Sequence, residues 1–466
     1  MEKFIGRKSE IETAKRLLQQ EGSRILVING RRRIGKSTLA SKIAEGYKFF
    51  NFSGLAPEES ADQLSNFLKQ LSQQTGNSYE DCADWDDILF AFSKEISETE
   101  KTVVLLDEIS WMAHGDPNFI GKLKNWWDLH ISHKNVLLIF CGSVSTWIEK
   151  NILNSTAFYG RISAIIRLQQ LSISDSVALL KERGFRYPAF EFFKVLAVTG
   201  GVPWYLEQLN PQISANKNIE NLCFNPSGIL NFEFEKIFND VFSRYGDIYR
   251  KILQELSNGM RTLSQIRTAV NYPNGGRLSL LMENLIISGF VSKHSLWSFK
   301  SKKLSNISLY RISDPYIRFY LKYIQKNQQA SLPAGFDSMI GIQMESLLLQ
   351  NNQAIFDLLK VEEPLIDGPY IQKPIAEKKG CQIDYLIQTK NNMLYVCEIK
   401  FRKTVIGTEV IDEVKEKINR LVIPRGMAVV PVLFHIGDLS SEIYESNYFY
   451  KIIDMNELLD SSDRAS

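Results

Sequence analysis

The chain has 466 residues, 44% of them hydrophobic and 23% charged, with a formal net charge of +2; that length predicts two to four domains of a soluble globular protein, each with its own core. No N-terminal stretch joins a basic start to a long apolar run, and apolar runs such as 136–141 are far too short to cross a bilayer, which argues against secretion and membrane insertion. Cys82, Cys141, Cys223, Cys381 and Cys397 are scattered, with no CxxC pair, and read as reduced thiols of a cytoplasmic protein.

In chain order, residues 25–29 predict a short apolar strand, 36–44 begin a helix, and 103–106 and 136–141 predict two more buried strands. This alternation predicts a parallel α/β domain over 1–170. From 171 to 243 the apolar spacing turns helical, broken at Gly200-Gly201-Val202-Pro203, which predicts a helical lid. Over 244–326, helices precede two β-like runs, 289–297 and 306–312, separated by the polar residues 300–303, and this order suggests a winged helix-turn-helix. Fourteen Lys and Arg against four Asp and Glu, counted from Arg244 to Lys326, give that segment a local excess of +10. Such an excess suits a polyanion, or simply a solvated basic face. The polar tract 325–337, with Pro333 and Gly335, predicts a linker. Beyond it, over 338–466, a helix through 344–350, strands at 383–388, 393–401 and 427–434, a turn at 389–392 and a helix at 409–421 predict a second, small α/β domain.

The segment Gly30-Arg31-Arg32-Arg33-Ile34-Gly35-Lys36-Ser37 fits GxxxxGK[ST], follows an apolar strand and opens a helix, the context a P-loop requires. Its glycines let several backbone N–H groups aim at a phosphate, and the helix N-terminus adds its positive end. Lys36 is expected to reach the β- and γ-phosphates of ATP and Ser37 to ligate Mg²⁺, with Arg33, Ile34 and Thr38 beside the nucleotide. The strand ending Leu105-Leu106 runs into Asp107 and Glu108, at the edge where open α/β sheets bind ligands. Asp107 is the expected partner of Mg²⁺ and Glu108 the group that polarises an attacking water. Ser143 is a candidate γ-phosphate sensor, or a turn or helix cap. Arg161 is a candidate for neutralising charge during phosphoryl transfer, in cis or from a neighbouring subunit of a homo-oligomer.

Together with Phe4-Ile5-Gly6-Arg7, Glu10, the Leu-Leu-Asp-Glu, Cys-Gly-Ser and Tyr-Gly-Arg segments, Gly200–Leu206 and Tyr310-Arg311-Ile312-Ser313-Asp314-Pro315, this site resembles the prokaryotic archaeal-type ATPases, relatives of the AAA+ and STAND ATPases. The resemblance implies an AAA+-like P-loop domain whose adenine lies near Gly6 and Arg7 under the helical lid. It also implies a winged helix followed by a small C-terminal domain.

In that last domain, Asp384 lies on one strand of a hairpin, and Glu398 and Lys400 share a face of the other because strand side chains alternate. A helix bearing Glu345 precedes them. The order resembles the PD-(D/E)xK restriction-endonuclease-like fold, with Ile383 where the motif has proline. Asp384 and Glu398 are hard ligands for Mg²⁺ or Mn²⁺, Lys400 suits the attacking water, and Glu345 is placed to complete the site. The runs around the acids are too apolar for a freely solvated hairpin; the alternative is a degenerate domain kept for binding. In the winged helix, 261–276 is expected to form the helix-turn-helix, with Arg261, Arg267 and Arg277 on DNA phosphates, Lys300, Lys302 and Lys303 in the wing, and Trp297 and Phe299 in the wing's core. The expected whole is an ATPase that couples nucleotide state to DNA binding and metal-dependent DNA cleavage. The alternatives are a STAND-like switch with an inactive C-terminal domain, or an ATP-dependent regulator without nuclease chemistry.

Overall fold

The computed structural model describes residues 3–56, 62–79, 82–143, 146–242, 246–326, 331–333, 335–374 and 378–459. Arg244, part of the expected basic segment, lies outside them, as do 327–330 and 334 of the expected linker and 460–466 at the end of the last expected domain. The chain divides into two units, Met1–Gln170 and Leu171–Ser466. Among the described residues, no helix is long and apolar enough to cross a membrane.

The first unit is built on a parallel sheet of β1 (Arg24–Gly30), β2 (Lys48–Ser53), β3 (Thr102–Asp107), β4 (Val136–Ser143) and β5 (Ile162–Arg167), in the order β2-β3-β4-β1-β5. The three central strands are apolar at nearly every position because both faces are covered. Ile25, Val27, Val104, Leu106, Val136, Leu138 and Phe140 join one core, and the alternate residues Leu26, Ile28, Val103, Leu105, Leu137, Ile139 and Cys141 join the other. The helices Lys8–Leu18 and Lys36–Ile43 cover the second face, and Gln63–Thr75, Trp85–Glu95 and Phe119–Trp126 cover the first. The edge strands β2 and β5 bury only some of their residues.

The second unit begins with helices from Ile173 to Phe242. Next come the helices Gly246–Ser257, Leu263–Ala269 and Arg277–Ile287 with a three-stranded sheet of β6 (Arg261–Thr262), β7 (Val291–Trp297) and β8 (Leu304–Ile312), in the order β6-β8-β7. The expected helix-turn-helix stretch, 261–276, therefore holds β6, one helix and a loop, and the second helix starts only at Arg277. The chain ends in a mixed sheet of β9 (Pro364–Gln372), β10 (Cys381–Thr389), β11 (Met393–Phe401), β12 (Ala428–Ile436) and β13 (Lys451–Asp454), in the order β13-β12-β11-β10-β9. One continuous core runs from Ile173 through Tyr316 and Met344 to Leu458, so these three segments are not independently packed.

The β7–β8 hairpin departs from the expectation of a free wing. Trp297 and Phe299 are 4% and 5% exposed, packed with Ile383, Leu386, Leu394, Val396 and Leu421 of the C-terminal segment. Trp297 Nε1 donates to Gln388 Oε1 at 2.9 Å, and Gln388 Nε2 donates to the Phe299 carbonyl at 3.0 Å. Lys302 Nζ donates to the Lys390 carbonyl at 2.7 Å. The aromatic pair fills a shared core rather than the hairpin's own, and Lys302 is turned onto neighbouring protein. Burying two large aromatic rings outweighs leaving the hairpin in water.

Candidate nucleotide site and acidic pocket

Because β1, β3 and β4 are adjacent and parallel, their carboxyl ends deliver the P-loop, Asp107, Glu108 and Ser143 to one edge. A Cβ on Gly30 would stand 2.6 Å from the Leu168 carbonyl oxygen, so the close approach of backbone there requires glycine. Arg33 and Gly35 follow with φ of 70° and 85°, left-handed conformations that curl the loop around its N–H groups. Ile34 anchors the loop in the core. Lys36 is 6% exposed, its Nζ donating to the Arg31 carbonyl at 3.1 Å, whereas Ser37 and Thr38 are exposed at the start of their helix.

Ser37 Oγ donates to Asp107 Oδ2 at 2.5 Å, tying the loop to β3. Asp107 Oδ1 accepts the Glu108 N–H at 3.0 Å, and Glu108 has φ of 49°, a strained conformation of the kind that gathers at functional sites. Ser143 donates its backbone N–H to Glu108 Oε2 at 3.2 Å and its hydroxyl to Oε1 at 3.0 Å. Gly6 and Arg7 also take left-handed φ, 73° and 62°. Arg7 Nη2 donates to the Ile34 carbonyl at 3.2 Å while Nη1 faces Glu10 at 3.5 Å, so the N-terminal segment is fastened to the loop.

Arg161 is not part of this gathering. It precedes β5, whose Ile162 pairs with Ile25 near the start of β1. The P-loop leaves the other end of β1, on the order of 20 Å away for a strand of that length. Its guanidinium is engaged instead by Asp128, at 2.8 and 2.9 Å. A role for Arg161 on the nucleotide of its own chain is therefore out of reach.

The C-terminal residues do converge. Tyr385 pairs with Cys397 across antiparallel β10 and β11, which sets Asp384 opposite Glu398, and the pairing of β10 with β9 is irregular between Ile383 and Leu386, around Asp384. Glu398 is 3% exposed. Lys400 Nζ lies 3.0 Å from Glu398 and 2.6 Å from Glu413. Lys417, on the helix Glu409–Arg420, contacts Glu398 at 2.5 Å and Asp384 at 3.9 Å. Burial and then the Glu398 charge raise the Asp384 pKa. Glu345, on the helix Phe336–Leu349, is raised by burial, opposed by Arg318, Arg311 and Lys417 and supported by Glu398. Burial works against the Lys400 ammonium, but Glu413 and Glu398 outweigh it and raise its pKa.

Like-charged residues opposite each other on paired strands destabilise a sheet unless a cation stands between them. Here Lys417 does so. The donors are hard oxygens suited to Mg²⁺ or Mn²⁺, and Mg²⁺ is commonly held by one or two carboxylates and water. Among the described residues, no three His, Cys, Asp or Glu side chains are grouped to hold a metal ion unaided. Sequence reasoning missed Lys417, Glu413, Arg311 and Arg318; the only signal for the first two was the i, i+4 spacing of charges on one helix.

The strand order, the P-loop and the acids after β3 define a P-loop ATPase. Residues 4–209 match the family described as an ATPase domain predominantly from Archaea, and the chain accordingly carries an archaeal-type ATPase domain, which supports nucleotide binding and ATPase activity. An uncharacterized protein of Methanocaldococcus jannaschii is 26% identical over 343 residues, covering 72% of each chain. A Walker-type ATPase of Pyrococcus abyssi shares the fold, with a TM-score of 0.51 and 18% identity over 68% of this chain and 96% of that one. The ORC2 protein of Aeropyrum pernix is more distant, at a TM-score of 0.42 and 16% identity over 76% of this chain and 98% of that one.

Proposed function

We propose that the chain hydrolyses ATP at the P-loop and uses the nucleotide cycle to control DNA binding and metal-dependent DNA cleavage at the C-terminal pocket. In this reading Lys36 leaves the Arg31 carbonyl for the β- and γ-phosphates, and the N–H groups from Arg33 to Thr38 cradle the phosphate chain. Gly6 and Arg7 border the adenine. Ser37 and Asp107 hold Mg²⁺, which offsets phosphate charge when bound. Glu108 orients the attacking water, and Ser143 couples the position of Glu108 to the γ-phosphate. Residues 171–243 act as the lid, 244–326 as a winged helix and 338–466 as the nuclease-like domain of a cytoplasmic protein. With Lys302 engaged, Arg277, at the start of the helix Arg277–Ile287, is a better candidate than that wing lysine for DNA contact.

The observation that carries the cleavage half is the meeting of Asp384 on β10 with Glu398 and Lys400 on the paired strand β11, with Glu345 feeling the Glu398 charge. Asp384 and Glu398 would hold Mg²⁺ or Mn²⁺, and Lys400 would orient the water. The test is incubation of purified protein with ATP and either metal on linear, supercoiled and branched DNA. Cleavage lost in Glu398→Ala and Lys400→Ala, with ATP turnover kept, supports the reading; intact DNA throughout removes it.

One observation favours a second reading, a STAND-like switch with a silent C-terminal domain. Lys417 already neutralises Glu398, and Glu413 holds Lys400. Slow ATP turnover with a large nucleotide-dependent change in shape, and no cleavage, would identify it.

A further inference from the structure

The pocket has a basic side supplied from outside the C-terminal segment. Arg318 lies on the short helix Pro315–Phe319, and its Nη1 donates to the Ile342 carbonyl at 3.0 Å and to Ser346 Oγ at 2.9 Å. Arg311, on β8, donates Nη2 to the Ser346 carbonyl at 3.4 Å. Both guanidinium groups are thus fixed to the helical turn that carries Glu345, one residue before Ser346 and three after Ile342.

Arg311 is 9% exposed, and among the described residues its Nε has no hydrogen-bond partner. Burial and then the Arg318 charge lower its pKa, with Glu345 opposing. A buried guanidinium with an unsatisfied donor beside a second one is a poor choice for packing alone, because an apolar side chain of similar volume avoids the desolvation cost. Among the described residues, neither arginine forms an ion pair with Glu345, although both feel its charge. Two cations therefore stand beside Glu345, itself within reach of the Glu398 charge, without being consumed by it. Guanidinium groups match the paired oxygens of a phosphodiester, whereas carboxylates match the cation that accompanies it.

We propose that Arg311 and Arg318 form a phosphate-holding subsite of the acidic pocket, so that a nucleic-acid phosphodiester is gripped between this guanidinium pair and the carboxylates Asp384 and Glu398. Arg318 offers the edge of its guanidinium not used by Nη1, and Arg311 stands behind it as fixed positive charge. The site is complete only with β8 and Pro315–Phe319 docked on the helix Phe336–Leu349. The proposal rests on the cleavage reading of the pocket and names its substrate-binding side.

The test uses full-length, nucleotide-free protein and a short fluorescent single-stranded DNA, with Ca²⁺ replacing Mg²⁺ so that no cut occurs. Arg318→Gln, which retains a donor for the helical turn but no charge, is expected to weaken binding roughly tenfold and to lower the salt dependence by about one phosphate contact. Arg311→Met is expected to weaken it in the same direction, and Arg318→Lys to recover part of the loss. Mn²⁺ binding by the same variants should stay within about threefold of wild type, as a phosphate contact predicts and a collapsed pocket does not. Should Arg318→Gln fail to fold by circular dichroism, Arg318→Lys and Arg311→Met carry the comparison. If Lys400→Ala and Glu398→Gln alter DNA binding while the arginine variants do not, the subsite is wrong while the acidic residues still contact DNA, as the cleavage reading requires. If none of the five variants alters it, the cleavage reading falls and takes the subsite with it.

Discussion

Trp297→Ala should unseat the β7–β8 hairpin from the C-terminal sheet. The ring is 4% exposed, stands edge-on to Tyr370 with centroids 5.1 Å apart, and donates to Gln388, itself fully buried. Truncating such a ring costs about 3–5 kcal/mol. Leaving the Gln388 oxygen without its donor adds about 1–3 kcal/mol. The expected loss is therefore roughly 4–8 kcal/mol, against about 1–3 kcal/mol for Trp297→Phe, which keeps most of the ring and removes the donor. Urea denaturation followed by far-ultraviolet circular dichroism reads the difference without relying on tryptophan emission, and hydrogen exchange localises it to β10 and β11. A loss below about 0.5 kcal/mol for the alanine variant, the ordinary range for surface positions, would refute the docking and return the hairpin to the role of a free wing.

Three other expectations follow from charge and position. The Asp384 pKa is raised, so over the window between its ordinary and raised values the native protein holds a proton that the unfolded chain releases, and stability falls as pH rises through that window. Asp384→Asn should therefore raise the melting temperature above that window by about 2–4 °C in scanning calorimetry, equivalent to about 1 kcal/mol; a lower one contradicts the crowding of charge. Burial and then Arg311 push His294 down to about 4, so the unfolded imidazole takes up a proton that the native one refuses as pH falls below its ordinary value. Urea midpoints should drop between about pH 6.5 and 4, and His294→Gln should flatten that slope. Arg161→Ala should cost at most about 1 kcal/mol, as for half-exposed ion pairs, and leave ATP turnover per chain unchanged in dilute protein.

The P-loop residues were legible because their pattern is local. A P-loop is contiguous, and β3 and β4 announced themselves as unbroken apolar runs buried on both faces. The edge strands β2 and β5 were not legible, since Lys48, Asn51 and Arg167 break the apolar pattern where one side meets solvent. Asp384, Glu398 and Lys400 were readable from strand alternation, but Lys417 reaches them, and the two arginines reach the helical turn of Glu345, only through tertiary packing. The basic count over 244–326 gave the charge of Arg311 and Arg318 without their destination: both are turned inward, toward Glu345, rather than outward. The cis role, one of the two expected of Arg161, was misread for the opposite reason. Its neighbourhood in sequence suggested the nucleotide, while the parallel register of β5 with β1 carries it to the far edge of the sheet.

The central claim is that ATP is hydrolysed at Lys36, Ser37, Asp107 and Glu108. The most direct measurement is steady-state ATP turnover with Mg²⁺ in wild-type, Lys36→Ala and Glu108→Gln protein, with nucleotide binding recorded in parallel. The account predicts turnover lowered by about 10²–10³ in both variants, the scale of losing one preorganised group that stabilises developing charge, with binding weakened in Lys36→Ala but kept in Glu108→Gln. Full turnover in Lys36→Ala would contradict it.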